Sequence, residues 1–114
     1  MPPKNNPLKL NKLQLRTLAL AQVLAGDTDI ARPDADSGDV RLLAIPRPHG
    51  DHLHIGRFVV SARDASGLSN PAVWRVLLRK GLARIDRPGG VTITAAGVAY
   101  DTGFGERPAE PQPE

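Results

Sequence analysis

Cysteine is absent from this chain of 114 residues, and only 4% of its residues are aromatic. Without cysteine the chain forms no disulfide scaffold, no cysteine-ligated zinc or iron–sulfur centre and no thiol nucleophile. The scarcity of aromatic residues predicts a core of aliphatic side chains. No apolar run approaches the ~20 residues of a membrane-spanning helix, and the amino terminus lacks the apolar stretch of a signal peptide. We therefore expect a cytoplasmic protein without a membrane partner.

The length indicates one domain with flexible ends. A chain of this size usually builds one hydrophobic core and leaves little room for a two-domain catalytic cleft. Residues 1–7 and the Pro/Glu-rich segment 102–114 are typical of disordered arms, so the domain should span residues 8–101. The sequence has no nucleophile elbow, no phosphate-binding loop and no rigidly placed carboxylate pair. We expect neither catalysis nor a cofactor.

Positive charge is concentrated in the second half of the chain. The formal net charge is +3, from 15 Lys and Arg against 12 Asp and Glu. Residues 65–85 contain no acid, yet Arg75, Arg79, Lys80 and Arg84 all lie there. Such a stretch is typical of a surface that binds a polyanion, although a solvated basic face has the same composition.

Short sequence patterns in the first half of the chain predict one helix, a loop and two strands. Asn11 is a good N-cap and Gln14 is its capping-box partner, which predicts a helix over residues 12–25. Residues 26–39 are acidic and interrupted by proline and glycine, and they indicate a surface loop. Two extended runs, 40–45 and 52–55, flank a turn-rich segment and predict a β-hairpin.

The second half predicts a helix-turn-helix followed by a hairpin. The run from Phe58 contains a short helix that ends at Gly67, with Gly56 or Ser61 as its cap. A second helix follows, which Ser69 or Asn70 caps and Gly81 terminates. Two helices joined by a tight glycine-containing turn form a helix-turn-helix. Residues 83–85 and 91–93 alternate in polarity about a Pro/Gly turn, which predicts a hairpin before a short helix over 95–100.

This order of elements resembles the winged helix-turn-helix domains of bacterial regulators. The likeness is carried by Leu13-Gln14-Leu15-Arg16, Gly67-Leu68-Ser69-Asn70, Arg79-Lys80-Gly81-Leu82, and Ile93-Thr94 with Gly97. It implies a small α+β winged-helix fold with three helices, a β-hairpin wing and an extra β-hairpin before the helix-turn-helix. It also implies a transcriptional regulator that places the helix from Asn70 in the major groove of double-stranded DNA, with Arg84 and Arg87 on phosphate or in the minor groove.

The predicted recognition helix has a basic side. Arg75 and Arg79 are four residues apart, so they lie together and can bridge phosphates or bind guanine. Asn70, at the start of the helix, can contact adenine or phosphate. The predicted DNA-binding residues are Ser69, Asn70, Arg75, Arg79, Lys80, Arg84 and Arg87. Lys4, Lys9 and Lys12 form a basic arm. Because a single module with few bases binds weakly, a homodimer is expected.

Trp74 and Leu78 occupy an arc of the same helix that a DNA-binding helix usually fills with polar groups. They either pack inside the domain, on the predicted strand at residues 52–55, or form an interface with a second chain. Stacking of Trp74 on DNA is a third interpretation. The interface interpretation favours a protein–protein interaction module that does not bind DNA.

All three histidines lie within six residues, with Asp51 between them. On a strand, His52 and His54 point to one face, and His49 and Asp51 of the adjoining turn can complete a structural or sensory metal site. A pH-sensitive interface is a second interpretation. Solvent-facing histidines opposite an apolar face explain the same pattern.

Overall fold

A computed structural model describes residues 6–56, 58–86 and 90–104. The helices and strands are, in chain order, α1 (Lys12–Ala25), β1 (Ala31–Pro33), β2 (Val40–Leu42), β3 (His52–Ile55), β4 (Phe58–Ser61), a 3₁₀ helix (Ser66–Ser69), α2 (Pro71–Arg79), β5 (Ala83–Asp86), β6 (Gly90–Ile93) and α3 (Ala95–Ala99). They form a compact mixed α+β domain with antiparallel sheets. None of the described helices has the length and hydropathy needed to cross a bilayer.

The main sheet has four antiparallel strands in the order β1-β2-β6-β5, and β3 and β4 form a separate hairpin. Side chains alternate across a strand, so Leu42 and Ile93 share one sheet face and are fully buried there. Helix α1 covers this face with buried leucines such as Leu18 and Leu24. Helix α2 packs against β5 and the 3₁₀ helix. The core is aliphatic, as the sequence predicts.

Local capping signals set the starts of the helices. The Asn11 side chain accepts the Gln14 backbone N–H at 2.8 Å, and the Gln14 side chain accepts the Asn11 backbone N–H at 2.9 Å. Asn70 caps α2 by accepting the Ala72 N–H at 3.0 Å. Thr94 caps α3 by accepting the Gly97 N–H at 3.1 Å. These contacts confirm the predicted starts of all three helices.

The prediction of a short helix that ends at Gly67 is wrong for either of its two possible caps, Gly56 and Ser61. Phe58–Ser61 is strand β4, paired with β3, and the described residues between β4 and α2 contain one helical segment, the 3₁₀ helix at Ser66–Ser69. Phe58 and Val60 are buried while Val59 and Ser61 are half-buried, a period of two. Aromatic and β-branched residues with this period favour a strand. The predicted pair of α-helices is therefore a hairpin, a 3₁₀ helix and α2.

The predicted hairpin between residues 40–45 and 52–55 is also wrong. Strand β2 pairs with β6 on one side and with β1 on the other, whereas β3 pairs with β4. Pro46 and Pro48 have no backbone N–H to offer a ladder, so the segment after β2 leaves the sheet. Residues 31–33, which lie within the predicted loop 26–39, form the edge strand β1. The hairpin β5–β6 forms as predicted.

The segment before α1 is tied to two distant parts of the chain. The Lys80 ammonium donates to the Leu8 carbonyl at 2.7 Å, and the Leu8 N–H donates to the Tyr100 hydroxyl at 3.2 Å. Tyr100 in turn donates to the Asn6 side chain. At the other end, Thr102 is buried. Packed residues thus extend past both predicted boundaries, 8 and 101.

Candidate nucleic-acid interface

Helix α2 has a buried side and a basic side. Val73, Trp74 and Leu77 are buried against the core, while Arg75 and Arg79 are exposed on the outward side. Neither arginine forms an ion pair with a carboxylate in the described part of the chain. The two guanidinium groups are one helical turn apart, so both can meet the same anionic partner. This arrangement agrees with the helical periodicity of the sequence.

The start of α2 is occupied by local hydrogen bonds. The Asn70 side-chain oxygen accepts the Ala72 N–H, which leaves the amide nitrogen as a donor for an incoming ligand. The exposed Ser69 hydroxyl donates to the Ser66 carbonyl at 3.3 Å. Both residues lie at the amino-terminal end of α2, and both have a structural role there.

Two of the other predicted cations have partners inside the domain. Lys80 is half-buried and donates to the Leu8 carbonyl. Arg84 forms an ion pair with Asp39 at 2.9 Å between Nη1 and Oδ2. Arg87, predicted to contact DNA from the wing, lies outside the described residues, as does Lys4. The basic side of α2 therefore depends on Arg75 and Arg79.

Trp74 belongs to the core rather than to an interface. Its side chain is 6% exposed, and its indole N–H donates to the Leu68 carbonyl at 2.8 Å. This burial favours the interpretation in which Trp74 packs inside the domain. Leu78, its predicted companion, is 43% exposed.

An apolar groove lies between α2 and β5, next to the basic side. Leu78 forms its α2 wall together with Pro71, and Ile85 of β5, which is 57% exposed, forms the opposite wall. The groove has a volume of about 410 Å³, and Arg75 is one of the residues that line it. Sequence analysis missed Ile85 because only the strand order reveals that β5 is an edge strand. The alternation of Ala83, Arg84 and Ile85 already assigns Ile85 to the core side of the hairpin.

The three imidazoles come together on the β3–β4 hairpin. His49 forms an isolated β-bridge with His52. The ring centroids are 5.2 Å apart for His52 and His54, 5.8 Å for His49 and His54, and 6.3 Å for His49 and His52. His52 Nδ1 lies 3.3 Å from the exposed Asp51 carboxylate. No group of three possible ligands within the described ranges is arranged to hold a metal ion, which does not support the predicted metal site at His49, Asp51, His52 and His54.

The sheet face opposite the helices carries a row of arginines. The register places Arg32 beside Arg41, Arg41 beside Thr92, and Thr92 beside Arg84. All three arginines are exposed. The Arg32 guanidinium already donates to the carbonyls of Thr28 and Ala31, at 3.0 and 2.9 Å.

The turn between β1 and β2 places acids at the end of this row. Asp39 accepts the Ala95 N–H through Oδ1 at 2.8 Å, while its Oδ2 pairs with Arg84. The Asp36 N–H donates to the Asp34 carboxylate at 2.9 Å and lowers its pKa below the ordinary value. Because these carboxylates offset the arginines, the outer sheet face is a weaker candidate for binding a polyanion than α2.

Comparisons with protein-family models, with curated proteins and with solved structures find no match to this chain.

Proposed function

We propose that this chain is a winged-helix-like DNA-binding domain that acts as a transcriptional regulator, with α2 as the helix that contacts DNA. The observation that carries the proposal is the exposed pair Arg75 and Arg79, which have no carboxylate partner in the described part of the chain. Cationic side chains that neutralise phosphates supply most of the non-specific affinity of a protein for DNA. The amide of Asn70 and the hydroxyl of Ser69 lie at the end of α2 that would approach the bases.

The chain topology supports the same proposal. Helix α1, strand β2, helix α2 and the hairpin β5–β6 follow one another, and β2 pairs with β6 so that the hairpin extends beside α2. This is the order implied by the winged-helix resemblance, except at two places. The implied hairpin between residues 40–45 and 52–55 does not form, because β2 pairs with β6 and β3 pairs with β4. The β3–β4 hairpin and the 3₁₀ helix stand where the resemblance implies the first helix of the helix-turn-helix. In a complex with DNA, strand β5 at the sheet edge and the 3₁₀ helix would therefore support α2.

Fluorescence anisotropy with a labelled duplex of random sequence tests the proposal. We expect the logarithm of the association constant to fall linearly with the logarithm of the salt concentration, with a slope of about −0.9 per neutralised phosphate. The double variant Arg75→Ala with Arg79→Ala should bind more weakly and should lower the magnitude of this slope by about 2, since two phosphate contacts are lost.

The matched control is Arg32→Ala with Arg41→Ala, which removes the same charge from the opposite sheet face. A general effect of net charge would weaken binding equally in both double variants, whereas contact through α2 weakens it chiefly in the first. Absence of binding by the unmodified protein at low salt, or equal losses in the two double variants, would contradict the proposal.

A further inference from the structure

A second cavity lies between the 3₁₀ helix, strand β3 and the proline-containing segment that follows β2. Its volume is about 400 Å³. Leu53 of β3 and Leu68 of the 3₁₀ helix, which are both buried, contribute apolar surface to it, as does the half-buried Ile45. A cavity of this size, lined by apolar side chains and a few polar groups, is typical of a site for a small molecule.

Arg47 gives this cavity a positive charge. It is the only charged residue among the described residues that line the cavity, and its guanidinium forms no ion pair with a carboxylate in the described ranges. Pro46 and Pro48, on either side of it, each have a fixed backbone φ, which restricts the wall that carries Arg47. A guanidinium group binds a carboxylate through two parallel, charge-assisted hydrogen bonds. The cavity therefore combines a partner for an anion with a lining for a hydrocarbon group.

We propose that this cavity binds a small monocarboxylate with an apolar body. The carboxylate pairs with Arg47, and the hydrocarbon part packs against Leu53 and Leu68. Ser66, which is exposed and lines the same cavity, supplies a hydroxyl group that can donate a further hydrogen bond. A fully polar anion such as phosphate would leave the apolar lining unused.

The cavity adjoins the start of α2. Leu68 and Ser69 line both this cavity and the groove beside α2. The Leu68 carbonyl accepts the Trp74 indole N–H at 2.8 Å, and the Gly67 carbonyl accepts the Asn70 N–H at 3.1 Å. A ligand that packs against Leu68 therefore contacts the turn that holds the amino-terminal end of α2. A resulting change in the affinity for duplex rests on the proposed function, whereas the carboxylate site itself does not.

Titration of the full, isotope-labelled chain with benzoate, cinnamate and octanoate, followed by two-dimensional NMR, tests the site without DNA. These probes carry one carboxylate on hydrocarbon bodies of different size and shape. We expect amide shifts concentrated in segments 44–48 and 62–69 and at Leu53, with a dissociation constant of about 1 mM or lower for at least one probe. Cinnamamide, the neutral counterpart of cinnamate, should bind about tenfold more weakly, and inorganic phosphate should cause no comparable shifts.

Variants of two arginines test the role of the charge. Arg47→Gln should weaken the binding of cinnamate about tenfold. The matched control is Arg63→Gln, which removes the same charge from an exposed arginine that does not line the cavity and should leave binding unchanged. Ala62→Leu adds bulk to the cavity and should also weaken binding. Circular dichroism checks that each variant is folded.

Three results would overturn the proposal: no amide shifts with any of the three carboxylates, equal affinity for cinnamate and cinnamamide, or unchanged cinnamate binding by Arg47→Gln. Anisotropy of labelled duplex with saturating cinnamate tests the link to α2, and an unchanged affinity for duplex would reject that link alone. Cinnamate binding by a protein that does not bind duplex would reject only the proposed function.

Discussion

The Asp39 carboxylate makes two contacts, and substitutions of this residue separate their contributions to the free energy of unfolding. Its Oδ1 accepts the first free N–H of α3, at Ala95, and its Oδ2 pairs with Arg84. The side chain is 14% exposed, while that of Arg84 is 57% exposed. A hydrogen bond to a charged acceptor contributes about 1.5–3 kcal/mol, and an ion pair this open to solvent contributes about 0–1 kcal/mol. Asp39→Ala removes both contacts and should lower the free energy of unfolding by about 2–3 kcal/mol.

Asp39→Asn is the matched variant, because its side-chain oxygen can still accept the Ala95 N–H while the charge is lost. We expect it to cost about 1–2 kcal/mol, because a neutral acceptor forms a weaker hydrogen bond with the Ala95 N–H and the ion pair with Arg84 is lost. Urea unfolding followed by tryptophan fluorescence measures both values, since Trp74 is the only tryptophan in the chain and is buried. The m-value should stay unchanged. Equal losses for Asp39→Ala and Asp39→Asn would refute the assignment of the larger share to the helix cap.

The same two variants carry a functional expectation. Each removes one negative charge and frees the guanidinium of Arg84 from its partner. If the hairpin approaches DNA, both variants should bind duplex more tightly at low salt than the unmodified protein, despite their lower stability. The anisotropy assay described above measures this, and weaker binding by both folded variants would count against a DNA contact near Arg84.

Two further predictions concern residues away from the interface. Gly97→Ala should destabilise the domain by about 1–3 kcal/mol, because a β-carbon there overlaps the Leu82 carbonyl oxygen. Gly26→Ala, where the nearest atom is at ordinary contact distance, is its control, and equal thermal midpoints for the two would contradict the packing argument. The carboxyl pKa of Asp34, measured by NMR titration, should lie below 3.8, chiefly because the Asp36 N–H donates to the carboxylate. The resulting stabilisation is present above the unfolded-state pKa and is lost as the pH falls through the folded-state pKa, so a folded-state value above 3.8 would remove it.

Features encoded by neighbouring residues were predictable, and pairings between distant residues were not. Asn11 with Gln14, Asn70 with Pro71, and Thr94 fix the helix starts within a few residues of sequence. The choice of β6 as a partner for β2 joins segments about fifty residues apart, and strand periodicity carries no information about which segments pair. The run from Phe58 mixes strand-forming and helix-forming residues. Only its pairing with β3 decides the outcome.

In the candidate site, too, local features were predictable from the sequence, whereas contacts between distant residues were not. Helical spacing alone places Arg75 and Arg79 together on an exposed side of α2. The partner of Lys80 is a backbone carbonyl at Leu8, and any carbonyl in the chain could have served. The partner of Arg84 is one of several aspartates in the acidic segment before β2. Such contacts depend on the tertiary fold, so the number of free cations on α2 follows only from the structure.

The hydrogen bond from Lys80 to Leu8 directs the Lys80 ammonium group towards the segment before α1. While the Leu8 carbonyl accepts its ammonium group, Lys80 is half-buried and adds little to the surface around Arg79. Detachment of residues 6–10 would release the ammonium group at the carboxyl end of α2, next to Arg79. Release of residues 6–10 would therefore leave the Lys80 ammonium group free to contact an anionic partner beside Arg79.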